Sequence, residues 1–181
     1  MTRLFLVLLV VLISADAVSQ KKFTNGEGHY SFVPLSGWTT RTDGSESYVY
    51  APADGDMDPW DEKITFSTSL GEGVELNDAF DFYLNTDFPE LYSGFKIVDQ
   101  GSEQINGVPA RWMTFTFSAQ GTAAGGTGSG DSILSATLQA LFYVVKKGDS
   151  LYLINGVTEK SLFARFDSPF RTIIRTFRAE E

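Results

Sequence analysis

The sequence predicts an α+β domain in which a mainly antiparallel sheet carries helices packed against it. Three observations lead there. Short runs of alternating apolar and polar residues recur along the chain, punctuated by Gly, Pro, Asn and Asp turn signals. Two other stretches repeat their apolar residues at helical spacing. Their order is strands, one helix, a meander of strands and a closing helix, with no internal repeat and no boundary between domains.

The elements follow in turn. Residues 29–33 read as a strand with Tyr30 and Phe32 on one face, stopped by Pro34 and turned by Ser36-Gly37. Residues 38–41 read as a short strand, Asp43-Gly44 as a turn, and residues 46–51 as the next strand. Residues 63–70 alternate, with Ile64 and Phe66 facing one way. Leu76, Phe80, Tyr83, Leu84 and Phe88 then recur as one face of an amphipathic helix, with Pro89 expected at its end. Residues 95–104 and 110–119 read as strands joined at Asn106-Gly107, a pair that tolerates positive φ. Residues 132–147 are long and apolar, helical in their first part by this reading and a strand over 141–145. Gly148-Asp149 turns the chain into a strand over 151–158. Leu162, Phe163, Phe166, Phe170, Ile173, Ile174 and Phe177 share the face of a last helix. Ser161 is its expected cap, and Pro169 is expected to kink or split it.

Residues 1–19 read as a cleavable signal peptide. Arg3 precedes an unbroken apolar run over 4–13, and the small residues Ala15, Ala17 and Ser19 follow. That run is too short for a bilayer, which takes about 20 residues. The mature chain is therefore expected to be secreted or periplasmic, without a transmembrane anchor. Residues 20–27 read as a polar lead-in and 28–181 as one domain. Net charge is -9, and Arg3 and Asp16 cancel, so removing the signal leaves it unchanged. An acidic surface repels nucleic acid phosphates and anionic lipid. The chain has no cysteine, which excludes disulfide staples, a lipoprotein anchor, thiolate metal sites and cysteine nucleophiles.

Candidate chemistry concentrates in two loops. Residues 54–62 place Asp54, Asp56, Asp58 and Asp61 in a spacing whose oxygens can converge on Ca²⁺. The EF-hand pattern itself fails, since Pro59 replaces the turn glycine and Thr65 replaces the bidentate Glu. A solvated acidic loop is the competing reading. Trp60 in the same loop is either an interface anchor or folded onto the core edge. Residues 121–130 are Gly-rich. Gly121 and Gly126 have phosphate-loop spacing, but Thr127 stands where lysine is required. This reads as a hairpin loop, with Gly125 and Gly126 as candidate partner contacts. His29, the sole histidine, has no G-x-S-x-G to serve, and Asp78 and Asp81 read as a solvated helix face. Tyr30, Phe32, Trp38, Trp112, Phe115 and Phe117 line either the core or a ligand cleft.

Tyr30-Ser31-Phe32-Val33-Pro34 followed by Gly37-Trp38 resembles the opening of the PsbP-like domain family. The turn from Ile105 to Ala110 resembles the family's hairpin, and residues 148–177 its closing strand and helix. The resemblance spans nearly the whole mature chain and points to PsbP and to DcrB-type bacterial envelope relatives. It implies an α/β/α sandwich around a central antiparallel sheet, with protein binding or assembly as the common theme and no shared catalytic residue. The expected function is thus a non-enzymatic accessory protein acting through protein–protein recognition on an envelope or extracellular partner, without a cofactor. The alternatives are a calcium-binding extracytoplasmic module using residues 54–62, and an enzyme or small-ligand binder whose site the sequence does not reveal.

Overall fold

The computed structural model describes residues 21–53, 61–123 and 132–180, without the side chains of 121–123 and 132–134. A small three-stranded sheet joins β1 (Phe23–Asn25), β2 (Tyr30–Phe32) and β10 (Arg178–Ala179), with β2 in the middle. The larger sheet has seven strands, all antiparallel. Its order is β3 (Thr39–Asp43), β4 (Glu46–Tyr50), β5 (Lys63–Leu70), β9 (Ser150–Glu159), β8 (Ser132–Lys147), β7 (Val108–Ala123) and β6 (Lys96–Ile105). The α+β class and the mainly antiparallel sheet expected from the sequence are both present.

Side-chain alternation sorts the core into two clusters, one on each face of this sheet. On one face, Tyr143, Val145, Tyr152 and Ile154 pack with Phe166, Phe170, Ile173 and Ile174 of α3 (Phe163–Ile174). The small sheet adds Tyr30 and Phe32 to that side. On the other face, Met113, Phe115, Phe142 and Val144 pack with Ala79 and Phe80 of α1 (Leu76–Phe82) and with Phe88 of α2 (Phe88–Leu91).

Several local expectations are corrected. Residues 20–27 are not wholly a loose lead-in. Phe23–Asn25 pairs with β2, and Asn25 is buried, its amide donating to the Gly44 and Glu46 carbonyls. Residues 132–140 are strand and not helix: β8 pairs with β7 along its whole length and with β9 from Leu138 on, and the continuous burial of Leu138–Val145 hides the alternation. Pro89 does not end the helix. A π-helical turn over Tyr83–Asp87 leads into α2, where Pro89 sits in the first turn and its missing N–H is not needed. Pro169 does not split α3, which is held on the sheet by Phe166 and Phe170 on either side of the proline. Ser161 does not cap α3. Its hydroxyl donates to Glu159 Oε2 at 3.2 Å, and Leu162 takes the cap position.

Tyr30 fastens the two sheets together. Its ring is fully buried, and its hydroxyl lies 3.0 Å from the Ser45 carbonyl, 3.1 Å from the Phe66 carbonyl and 2.9 Å from Ser47 Oγ. Burial pushes its pKa up from 10.0 to about 12. Neutral Tyr30 therefore contributes stability that is fully present below pH 10.0 and is lost as pH rises through about 12. Tyr30→Phe is expected to cost about 1–3 kcal/mol at neutral pH. It should also flatten the alkaline limb of the stability curve, read by urea melts across that range. An unchanged alkaline limb would place the ionising group elsewhere.

Candidate functional site

The site takes shape at the β6 edge of the large sheet. The β6–β7 hairpin turns at Asn106 (φ 50°) and Gly107 (φ 82°), the paired positive dihedrals of a two-residue turn. That turn fixes the register. Gln100 lies opposite Met113, Ser102 opposite Arg111 and Gln104 opposite Pro109. Since Met113 belongs to the α1-side core, Gln100, Ser102 and Gln104 also project to the α1 side. They meet Leu76 and Asn77 at the start of α1, and together they line an open groove of about 520 Å³.

Arg111 reaches the same groove from β7. It is half-buried, with its guanidinium 4.4 Å above the Phe80 ring and Nη1 donating to Asn77 Oδ1 at 2.7 Å. Cation–π stacking and a neutral amide hold it in place. The groove thus offers amide, hydroxyl and guanidinium groups beside an outermost strand, whose outward backbone has no neighbouring strand among the described residues to pair with.

The opposite face of the hairpin is closed. Glu103 points there, where its Oε1 accepts from the Tyr143 hydroxyl at 2.6 Å and its Oε2 lies 3.5 Å from Arg175. Arg171 donates to the Tyr143 oxygen at 2.9 Å, pairs with Asp167 at 2.9 Å and stacks 4.5 Å over Trp112. Burial, then the bond to Glu103, raises the Tyr143 pKa well above the ordinary tyrosine range. Asn106 Nδ2 donates to the carbonyls of Arg175 and Phe177, which ties the hairpin to the end of α3. Ser102 and Glu103 therefore lie on opposite faces of β6 and do not form a nucleophile–base pair.

The residues singled out from sequence fare differently. Trp60, Gly125, Gly126, Asp54, Asp56 and Asp58 lie outside the described residues. Asp61 is exposed, and next to it the Glu62 carbonyl accepts from the Ala51 N–H at 2.9 Å. Among the described residues no group of His, Asp and Glu is placed to hold a metal ion. His29 is exposed at φ 53°, and its carbonyl accepts from Glu180 N–H and the Tyr152 hydroxyl. Asp78 and Asp81 are solvated. The aromatic set forms no single cleft. Tyr30, Phe32, Trp38 and Trp112 pack on the α3 side, whereas Phe115 and Phe117 pack on the α1 side. Sequence reasoning missed Asn77, Gln100, Ser102, Gln104 and Arg111. The available signal was Arg111 itself, a lone cation at the head of the apolar strand 111–117.

The architecture defines the class before any comparison: an antiparallel α+β domain with helices on both sheet faces and a polar groove at one edge. Comparison with solved structures makes it specific. Cyanobacterial PsbP (CyanoP) from Synechocystis sp. PCC 6803 aligns at TM-score 0.56 and 13% identity, covering 88% of this chain and 91% of that one. The Ran-binding protein Mog1p of Saccharomyces cerevisiae aligns at TM-score 0.57 and 14% identity, covering 88% and 94%. LpqN, involved in cell envelope biogenesis of Mycobacterium tuberculosis, aligns at TM-score 0.55 and 11% identity, covering 89% and 90%. No protein-family model and no curated protein matches the sequence. The fold is therefore PsbP-like, as the sequence resemblance implied, and at these identities the likeness is one of fold. Among the described residues no helix is long and apolar enough to cross a membrane.

Proposed function

We propose that this chain is a secreted or periplasmic, non-enzymatic accessory protein that works by recognising another protein. The observation that carries this reading is the chemistry of the β6 groove. Gln100, Ser102, Gln104, Asn77 and Arg111 supply hydrogen-bonding groups along an edge strand, the arrangement by which extended peptides are held. The signal-like residues 1–19 support the compartment. The fold shared with a Ran-binding protein and with an envelope-biogenesis protein supports the accessory role, and packing on both faces supports the α/β/α sandwich.

The test is cross-linking of the tagged full-length chain in its native envelope, read by mass spectrometry. One abundant partner is the expected result, and its absence would overturn the reading. The calcium alternative predicts a melting temperature that rises with millimolar Ca²⁺ and no longer does so in Asp56→Ala. A flat melt would remove it.

A further inference from the structure

We infer that the β6 groove takes an extended peptide carrying a carboxylate, and that Arg111 is the group that reads it. This rests on the protein-recognition reading above and names what the partner must present.

Among the described residues Arg111 carries a charge that no carboxylate offsets. Among the described residues two arginines are half-buried, Arg111 and Arg171. Arg171 has Asp167 at 2.9 Å. Among the described residues no carboxylate lies within ion-pair distance of Arg111, in a chain of net charge -9 where acids outnumber bases by 23 to 14. Its polar contact within the protein is the neutral Asn77, and its stacking partner is Phe80. A guanidinium has five N–H donors in a rigid fork suited to a carboxylate. The bond to Asn77 and the Phe80 ring fix the plane of that fork and leave donors for the groove. Glu103, the acid nearest in the hairpin, does not satisfy it, because Tyr143 and Arg175 hold that carboxylate on the other face.

The rest of the groove suits a peptide. Gln100, Ser102 and Gln104 recur at every second residue, the period of a strand lying alongside. Their amides and hydroxyl both donate and accept, as a peptide backbone does. Among the described residues no strand covers the outer edge of β6, so the sheet can extend there by one strand. The occupant is thus an extended segment whose carboxylate meets Arg111. That carboxylate is either a chain terminus or an Asp or Glu side chain.

The test uses the purified chain and fluorescein-labelled Thr-Val repeat peptides in three forms, read by anisotropy. One has a free C-terminal carboxylate, one a C-terminal amide, and one an amide with a central Glu. At least one acidic form is expected to bind about tenfold more tightly than the neutral amide. Which acidic form wins identifies the source of the carboxylate. Arg111→Gln should abolish the preference, and Arg111→Lys should restore only part of it, since the fork is lost. Because Arg111 packs on Phe80, the exposed Ser102→Trp serves as a second variant that fills the groove and should abolish binding with the fold intact. Equal binding of acidic and neutral peptides, an undiminished preference in Arg111→Gln, or no binding of any form would overturn the inference. A photo-crosslinker at Ser102, with Thr42 on the opposite edge as control, separates failure of the groove from failure of protein recognition. Capture at Thr42 alone would sink the groove and leave protein recognition standing. Capture at neither would count against both.

Discussion

Phe66→Ala is expected to remove about 3–5 kcal/mol of folding stability, the usual cost of deleting a fully buried aromatic ring. Phe66 is 1% exposed and lies on β5, where it stacks face to face on Phe32 at 4.2 Å and 6°. Tyr30 and Phe177 flank it at 5.9 and 6.2 Å. These rings come from the small sheet, the large sheet and the segment after α3, so no single element can move in to refill the space. Domains have roughly 5–15 kcal/mol in hand, so the variant should be marginal. Thermal and urea melts measure the loss, with Phe66→Leu as a partial-truncation control expected to lose less. A loss below about 1 kcal/mol would mean that the stack is not part of the folded core.

Gly156→Val attacks the other contact on which the α3 face depends. A Cβ at Gly156 would lie 2.8 Å from Phe170 Cδ2 and 3.0 Å from Cγ. Phe170 cannot withdraw, because it is fully buried with Phe166 at 5.8 Å and Trp38 at 6.0 Å. The backbone must yield instead, and α3 lifts off β9. Overpacking of this kind costs about 1–3 kcal/mol. Near-UV circular dichroism should weaken as Trp38 loses its aromatic neighbours, before secondary structure is lost. The double variant Gly156→Ala/Phe170→Leu is expected to be more stable than the two single losses combined, since the smaller ring removes the clash. Strict additivity would show that the two residues do not touch.

Most of the strand order was legible because half-buried strands alternate. Residues 63–70 were read to the residue, and Asn106-Gly107 announced its own turn through the φ values it now adopts. The pattern failed in β8 over 132–140, where Leu, Ala and Gln suit either structure and burial on both faces from Leu138 on removes the alternation. It also failed where an element is too short to show a period, as in Phe23–Asn25. Pro89 does not end its helix, and of the two outcomes expected of Pro169 the split is absent. Pro89 and Pro169 weaken an isolated helix, but packed aromatic neighbours outweigh that preference here. The site was less legible than the fold. Asp and Gly clusters draw the eye to loops, whereas the groove is assembled from α1, β6 and β7, and only register places Ser102 opposite Arg111. Arg111 was passed over although it is a cation at the head of an apolar strand, and sequence alone could not reveal that no acid among the described residues answers it.

The position of β2 between β1 and β10 sets a timetable for the chain. Ser31 faces Thr24 on one side and Arg178 on the other, so one of the first strands is completed by one of the last. Phe177, next to that last strand, also closes the ring stack around Tyr30 and Phe66. A chain emerging from a ribosome amino end first therefore carries an unfinished seam until residues 177–179 arrive. Contacts of such long sequence separation form late. The architecture thus postpones its own closure until both distant segments are present.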